Sequence, residues 1–262
     1  MFIKPKKSLG QNFLIDNNVL EHIVDAVEIT NKEVLEIGPG SGNLTKFILK
    51  KKPKKVYVIE KDDELVLLLE DKYTNEIKII NDDVLKISED KISSQKLTVF
   101  GNLPYNISTE ILSKWITNLS GEFWFESLVL MFQKEVADRI IAESNTSKYG
   151  RLTILSNWKL NIKKIMDIKP ESFSPRPKID SSLLLFTPRK NFFVLKDAKN
   201  LEMITRVFFS QRRKMLKKPF NQIFKSAKSV SEKFNIDLNL RPQNLEPEMY
   251  FKLVKEYESL RS

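Results

Sequence analysis

The sequence predicts an α/β fold: a mostly parallel sheet with helices on both faces, followed by a small helical domain. Three observations predict it. Short apolar runs alternate with stretches whose apolar residues recur every three to four positions, the mark of strands connected by crossover helices. A glycine-rich turn, Gly38-Pro39-Gly40-Ser41-Gly42, follows the first such run and precedes a helical pattern. After Pro188 the β-like runs largely stop and positive charge accumulates.

The elements follow in order. Asp16 is placed to cap a helix through Val19, Leu20, Ile23, Val24 and Val27. Strands are expected at Val34–Ile37, Val56–Ile59, Ile77–Ile80, Leu97–Phe100 and Leu128–Phe132. Each is a short, nearly unbroken apolar run, as parallel strands covered on both faces require. Between them, Leu44–Lys51, Glu64–Lys72, Thr109–Asn118 and Lys134–Glu143 read as helices, and Leu183–Phe186 as a further strand at the sheet's edge. Short helices punctuated by Pro219, Pro242 and Pro247 make up the remainder. The division expected is residues 1–188 and 189–262.

Composition excludes several classes of chemistry. The chain of 262 residues has no Cys and one His, so thiolate metal sites, disulfides, Ser-His-Asp triads and multi-His zinc sites are ruled out; no metal is expected. It has no apolar run of about 18 residues and no leader-like start, so a cytoplasmic protein without a membrane anchor is expected. The net charge of +10 is unevenly spread: residues 187–262 hold 17 Lys+Arg against 8 Asp+Glu, and the rest of the chain 27 against 26. A basic segment beside a balanced one reads as a polyanion-binding module attached to a domain with another task.

The glycine turn points to a ligand that approaches the backbone closely. Its third glycine arrives one residue too early for the dinucleotide pattern G-x-G-x-x-G, and it lacks the Lys-Ser/Thr ending of a phosphate loop. That combination favours S-adenosylmethionine. Glu60, ending the second strand, is placed to accept hydrogen bonds from ribose hydroxyls, and Asn81, Asp82 and Asp83 to meet the adenine amino group, with one of the two acids serving only the turn.

The fourth strand runs into Gly101-Asn102-Leu103-Pro104-Tyr105. An exocyclic adenine amine is a poor nucleophile because its lone pair is delocalised into the ring. The Asn102 side-chain carbonyl and the Leu103 backbone carbonyl would each accept one N–H and stabilise the charge that grows during attack. Pro104 would fix the carbonyl's direction, and Tyr105 would offer a ring on which the base stacks.

With these motifs in place the chain closely resembles the KsgA-type small-subunit ribosomal RNA adenine N6,N6-dimethyltransferases. The matching runs are Lys7-Ser8-Leu9-Gly10-Gln11-Asn12-Phe13-Leu14, Glu36-Ile37-Gly38-Pro39-Gly40, Phe100–Ser108, Gln133-Lys134-Glu135-Val136-Ala137, Phe173–Ser181 and Phe208–Lys214. The resemblance implies a Rossmann-like methyltransferase sheet and dimethylation of two adjacent adenosines near the 3′ end of small-subunit rRNA. It also implies a role in small-subunit biogenesis, with the rRNA or a 30S precursor as partner and a monomeric enzyme. It assigns Asn12, Leu14, Gly38, Gly40, Glu60, Asp83 and Asn102 to S-adenosylmethionine, and Phe173 to the base face opposite Tyr105. Two other readings remain open at this stage. One is the erythromycin-resistance type acting on large-subunit rRNA, whose motif more often carries Ile where Leu103 stands; the other is an RNA-binding assembly factor without turnover.

Arg212, Arg213, Lys214, Lys217 and Lys218, interleaved with Phe208, Phe209 and Phe220, form the densest basic cluster. It is read as a helix with phosphate contacts on one face and aromatics packed on the other. Lys4, Lys6 and Lys7 read first as solvated lysines, with guidance of RNA toward the pocket as the second reading.

Overall fold

The computed structural model describes residue 6, residues 11–119 and residues 121–261. In it the elements run β1 (Phe13–Leu14), α1 (Asn17–Val24), β2 (Glu33–Ile37), α2 (Asn43–Lys50), β3 (Lys55–Glu60), α3 (Asp63–Lys72) and β4 (Lys78–Asn81). There follow β5 (Leu97–Asn102), α4 (Ser108–Thr117), β6 (Phe125–Gln133), α5 (Lys134–Ile140), α6 (Arg151–Lys159), β7 (Leu160–Ile168), β8 (Phe173–Ser174) and β9 (Ser181–Pro188). Helices α7 (Ala198–Ser210), α8 (Lys217–Ile223), α9 (Ala227–Lys233) and α10 (Pro247–Ser259) complete the chain.

Seven strands form one sheet in the order β4-β3-β2-β5-β6-β9-β7. The first five are parallel and β9 runs antiparallel to β6. The Leu183–Phe186 run therefore lies inside the sheet, not at its edge. The edge is β7, whose Leu160, Ile162, Met166 and Ile168 fall on alternate positions, the pattern of a strand with one covered face. Asp16 caps α1 as expected, accepting from Asn18 N and Val19 N, but the helix stops at Val24, short of Val27. Similarly, α5 ends at Ile140, three residues before Glu143.

The chain divides into two compact units. One takes the chain up to Lys114 with Leu119–Ala137 and Ile162–Pro188; the other takes Trp115–Asn118, Asp138–Asn161 and the chain from Arg189 onward. In the first, β2 is wholly buried, and Val34, Val56, Val58, Phe100 and Val129 join the core beneath α1 and α2. A two-stranded ribbon, β1 with β8, pairs Phe13 with Ser174 and Leu14 with Phe173.

The second unit is helical and built on aromatics. Phe208 of α7 stands 5.5 Å from Phe220 and 5.6 Å from Tyr250, all three fully buried. Two buried phenols are satisfied within the unit: Tyr149 donates to Leu245 O at 2.7 Å, and Tyr250 to Pro242 O at 2.6 Å. Glu258 of α10 accepts from Lys196 N, Asp197 N and Asn200 Nδ2, which ties the start of α7 to the end of the chain.

Candidate active site

The loops that leave the carboxyl ends of β2, β3, β4 and β5 converge on one cavity, where open α/β sheets bind their ligands. Asn12, Leu14, Gly38, Gly40, Glu60, Asp83 and Asn102 all line it, and so do Leu103, Pro104 and Tyr105. Parallel pairing of β2 with β5 sets Ile37 beside Gly101, which brings the glycine turn and the Asn-Leu-Pro-Tyr segment to the same sheet edge.

The glycine turn demands its glycines. Gly40 has φ +57°, and a β-carbon there would lie 2.8 Å from the Phe13 ring; Gly42 has φ +76°, and its β-carbon would meet the Tyr73 ring at 2.6 Å. Gly40 N donates to Glu60 Oε2 at 3.2 Å, while Lys61 N and Asp62 N donate to Glu60 Oε1, both at 2.9 Å. These three bonds leave the carboxylate about one of its roughly four acceptor positions. Burial nevertheless pushes the Glu60 carboxyl above its ordinary range. Asp83 is the opposite case: the Lys61 ammonium at 2.8 Å and the Leu85 amide at 3.0 Å hold it below the usual carboxylate range. Asp82 accepts from Asp83 N at 2.7 Å and Asp83 from Leu85 N at 3.0 Å, so both acids hold backbone amides of the turn.

Residues 11–14, before α1, line the cavity and are held by side chains of other elements. Asp62, whose side chain is 0 % exposed, accepts from Gln11 Nε2 at 2.9 Å and from Lys6 Nζ at 2.7 Å. Burial alone would raise the Asp62 carboxyl; the ammonium and the amide outweigh it and lower it. Asn43 Nδ2 donates to Leu14 O at 2.7 Å, and Asn102 Nδ2 to Asn12 O at 2.9 Å. Lys6, read from sequence as a solvated lysine or an RNA guide, pairs with Asp62 and Glu64. Lys4, Lys7 and the Lys7–Gly10 part of the first motif lie outside the described residues.

The bond from Asn102 Nδ2 to Asn12 fixes which way the amide faces, with Oδ1 as its remaining acceptor. Tyr105 is held at both ends: Ser108 Oγ donates to its carbonyl at 3.2 Å, and its hydroxyl shares a 2.5 Å hydrogen bond with Ser181 Oγ. Burial raises its phenol, which therefore stays protonated at neutral pH.

Phe173 is not brought to the cavity wall. It is 3 % exposed and packs in the core with Leu14, Ile168 and Leu183. The basic cluster also differs from its sequence reading, because Gln211 to Leu216 form a turn between α7 and α8 and not a helix. Arg213 and Lys214 are exposed on that turn, and Lys217 and Lys218 on the first turn of α8. Arg212 is part-buried, donating to Thr146 O at 2.9 Å and to Gln243 Oε1 at 3.3 Å, so it braces its own unit.

Two charged cavity residues carry no sequence assignment. Glu36 is 2 % exposed, accepts from Thr45 Oγ1 at 2.6 Å, and has its carboxyl pushed up to about 8, chiefly by burial. Its signal was an acid inside the otherwise apolar run Val34-Leu35-Glu36-Ile37. Lys61 reaches the cavity beside Asp83 with no comparable signal. Among the described residues no helix is long and apolar enough to cross a membrane.

A family model described as ribosomal RNA adenine dimethylase matches residues 3–259. The ribosomal RNA small subunit methyltransferase A of Pelagibacter ubique is 78% identical over 261 residues, covering 100% of both chains. The protein of the same name from Wolbachia of Drosophila simulans is 42% identical and covers 98% of this chain and 95% of its own. Among solved structures, a dimethyladenosine transferase from Plasmodium falciparum superposes with a TM-score of 0.82 at 27% identity, covering 94% of this chain and 98% of its own. The 23S rRNA methyltransferase ErmE superposes at 0.69 with 21% identity, covering 94% and 99%, which is a likeness of fold.

Proposed function

The chain belongs to the ribosomal RNA adenine dimethylase family, and on that premise we propose how its residues carry out S-adenosylmethionine-dependent dimethylation. The substrate is the N6 amino group of two adjacent adenosines near the 3′ end of small-subunit rRNA, modified during subunit biogenesis by a cytoplasmic monomer. The observation that carries the reading is Asn102: its amide is locked by Asn12, and its carbonyl oxygen is left as an acceptor at the edge of a cavity that Tyr105 also lines. The name and 78% identity of the Pelagibacter relative favour the small subunit over the large, since the likeness to ErmE extends to fold alone. The intact Asn102–Tyr105 segment favours turnover over a purely architectural role.

The cavity's donor set fits the cofactor. Glycine backbone at 38 and 40 allows close approach, Glu60 keeps an acceptor position for a ribose hydroxyl, and the ionised Asp83 can accept from an adenine amine beside Val84 and Leu85. When bound, S-adenosylmethionine supplies an electrophilic methyl carbon on its sulfonium. The chain's task is positioning and electrostatics. Asn102 Oδ1 and Leu103 O each accept one N–H of the target amine, drawing its lone pair out of the ring and toward the methyl carbon. Each transfer exchanges one amine proton, released to solvent, for the methyl as its bond to the sulfonium sulfur breaks; a single N–H then remains, which one of the two acceptors can hold in a second round. Tyr105 takes one face of the extruded base, a contact of about 1–3 kcal/mol set against an extraction cost of a few kcal/mol. Phe173 would take the other face only by leaving its core position.

Gly40→Ala is expected to weaken S-adenosylmethionine binding at least tenfold by titration calorimetry, because the left-handed backbone costs an L-residue roughly 1–2 kcal/mol and the new methyl displaces Phe13. Wild-type affinity would remove the glycine turn from the cofactor site.

Residues 189–262 supply the RNA-binding module in this reading, with Arg213, Lys214, Lys217 and Lys218 on phosphates. Reversing Arg213 and Lys214 to Glu should weaken rRNA binding and flatten its salt dependence, each lost phosphate contact removing roughly 0.7–0.9 from the slope of log K against log salt. An unchanged slope would move RNA binding elsewhere. The activity itself is tested by transferring labelled methyl groups to small subunits that lack the modification. Mass spectrometry should then find N6,N6-dimethyladenosine in small-subunit rRNA; label in large-subunit rRNA alone would overturn the assignment.

A further inference from the structure

Ser181 is the first residue of β9 and is 0 % exposed. Its backbone is fixed from two sides. It pairs in register with Gln133 of β6, and the carbonyl of Asp180 beside it accepts from Lys134 N at 2.9 Å. Leaving a buried hydroxyl unpaired costs roughly 1–3 kcal/mol, and the Ser181 hydroxyl is paired with the Tyr105 hydroxyl, 2.5 Å away. Tyr105 otherwise sits on the loop between β5 and α4, tethered at its carbonyl by Ser108. A loop ring anchored only at its backbone can swing about χ1 and χ2. Anchored also at the far end of the phenol, it has one orientation.

We infer that Ser181 is a positioning residue for base methylation: it grips the Tyr105 hydroxyl so that the ring face stands ready for the incoming adenine. This rests on the reading of Tyr105 as the stacking platform. It makes the tyrosine hydroxyl, which a stacking ring by itself does not need, the point at which the sheet controls the base. A phenylalanine at 105 would stack equally well but would lack the grip.

The test is a mutant cycle of Ser181→Ala, Tyr105→Phe and the double variant, with Tyr105→Leu as reference. Each is assayed for kcat and KM of methyl transfer to unmethylated small subunits, for cofactor affinity and for melting temperature. Ser181→Ala and Tyr105→Phe should each lower kcat/KM roughly tenfold, the weight of one lost hydrogen bond, with cofactor affinity unchanged. The double variant should be no worse than the worse single one. Losses that multiply in the double variant would overturn the inference, because Ser181 would then act by some route other than the Tyr105 hydroxyl. So would wild-type kinetics in both single variants alongside a large loss in Tyr105→Leu, a result that leaves the stacking reading standing. Wild-type kinetics in Tyr105→Leu would instead remove the stacking reading itself. A fall in melting temperature in Ser181→Ala without a kinetic change marks a purely structural hydroxyl and also overturns the inference. Tyr105→Phe, which leaves Ser181 in place, gives the kinetic answer should Ser181→Ala fail to fold.

Discussion

Asn102→Ala is expected to lower methyl transfer by a factor of about 10²–10³, the loss seen when one preorganised hydrogen-bonding group is taken from a transition-state site. Two effects combine. The variant removes Oδ1, one of the two acceptors proposed for the amine, and it removes the donor that holds Asn12 at the cavity. The first lowers kcat, because the amine's charge grows only during attack; the second lowers affinity for the cofactor. Asn102→Asp separates the two. It keeps acceptor oxygens near the amine but presents a carboxylate to the Asn12 carbonyl, so cofactor binding should weaken while the single-turnover rate at saturating cofactor falls less than in Asn102→Ala. Single-turnover rates and calorimetric affinities measured on both variants check this. Activity of Asn102→Ala within about twofold of wild type would sink the catalytic assignment.

How much of this was legible depended on whether a residue acts through its backbone or through tertiary neighbours. Strands β2, β3, β5 and β6 announce themselves because strands covered on both faces need unbroken apolar runs. Helix α6 does not. Thr153, Ile154, Leu155, Ser156 and Trp158 are all buried, so it presents no single apolar stripe, and it passes straight into β7 without a breaking residue. The ribbon of β1 and β8 is two residues long and too short to show a period. In the site, the glycines and the Asn-Leu-Pro-Tyr segment are readable because backbone geometry restricts which residues fit. Ser181 is not, because its significance is a hydroxyl 76 positions away in sequence. Arg212 misleads for the same reason: a count of charges does not distinguish a guanidinium bonded to Thr146 and Gln243 from one facing solvent.

Glu36 carries the other large expected effect, and it concerns stability. Its carboxyl lies on β2 beneath the glycine turn, with its ordinary value of 4.5 pushed up to about 8 by burial, a shift that Thr45's hydroxyl opposes and nearby Glu60 reinforces. Native Glu36 thus keeps a proton that the unfolded chain releases. Its stabilisation is complete below about pH 4.5 and is lost progressively as pH rises toward 8, where the native carboxyl also ionises. The slope is roughly 1.4 kcal/mol per pH unit, and the full loss reaches about 5 kcal/mol. Glu60, raised in the same direction by burial, adds to the decline. Glu36→Gln keeps the shape and an oxygen for Thr45 but cannot ionise. Denaturant unfolding of the protein without added cofactor, between pH 5 and pH 9, should show wild type losing stability with rising pH. The Gln variant should be flatter by several kcal/mol over the same range, keeping only the part that belongs to Glu60. Parallel curves for the two proteins would mean that Glu36 is ionised in the native state, and that the cavity floor holds a charge its burial argues against.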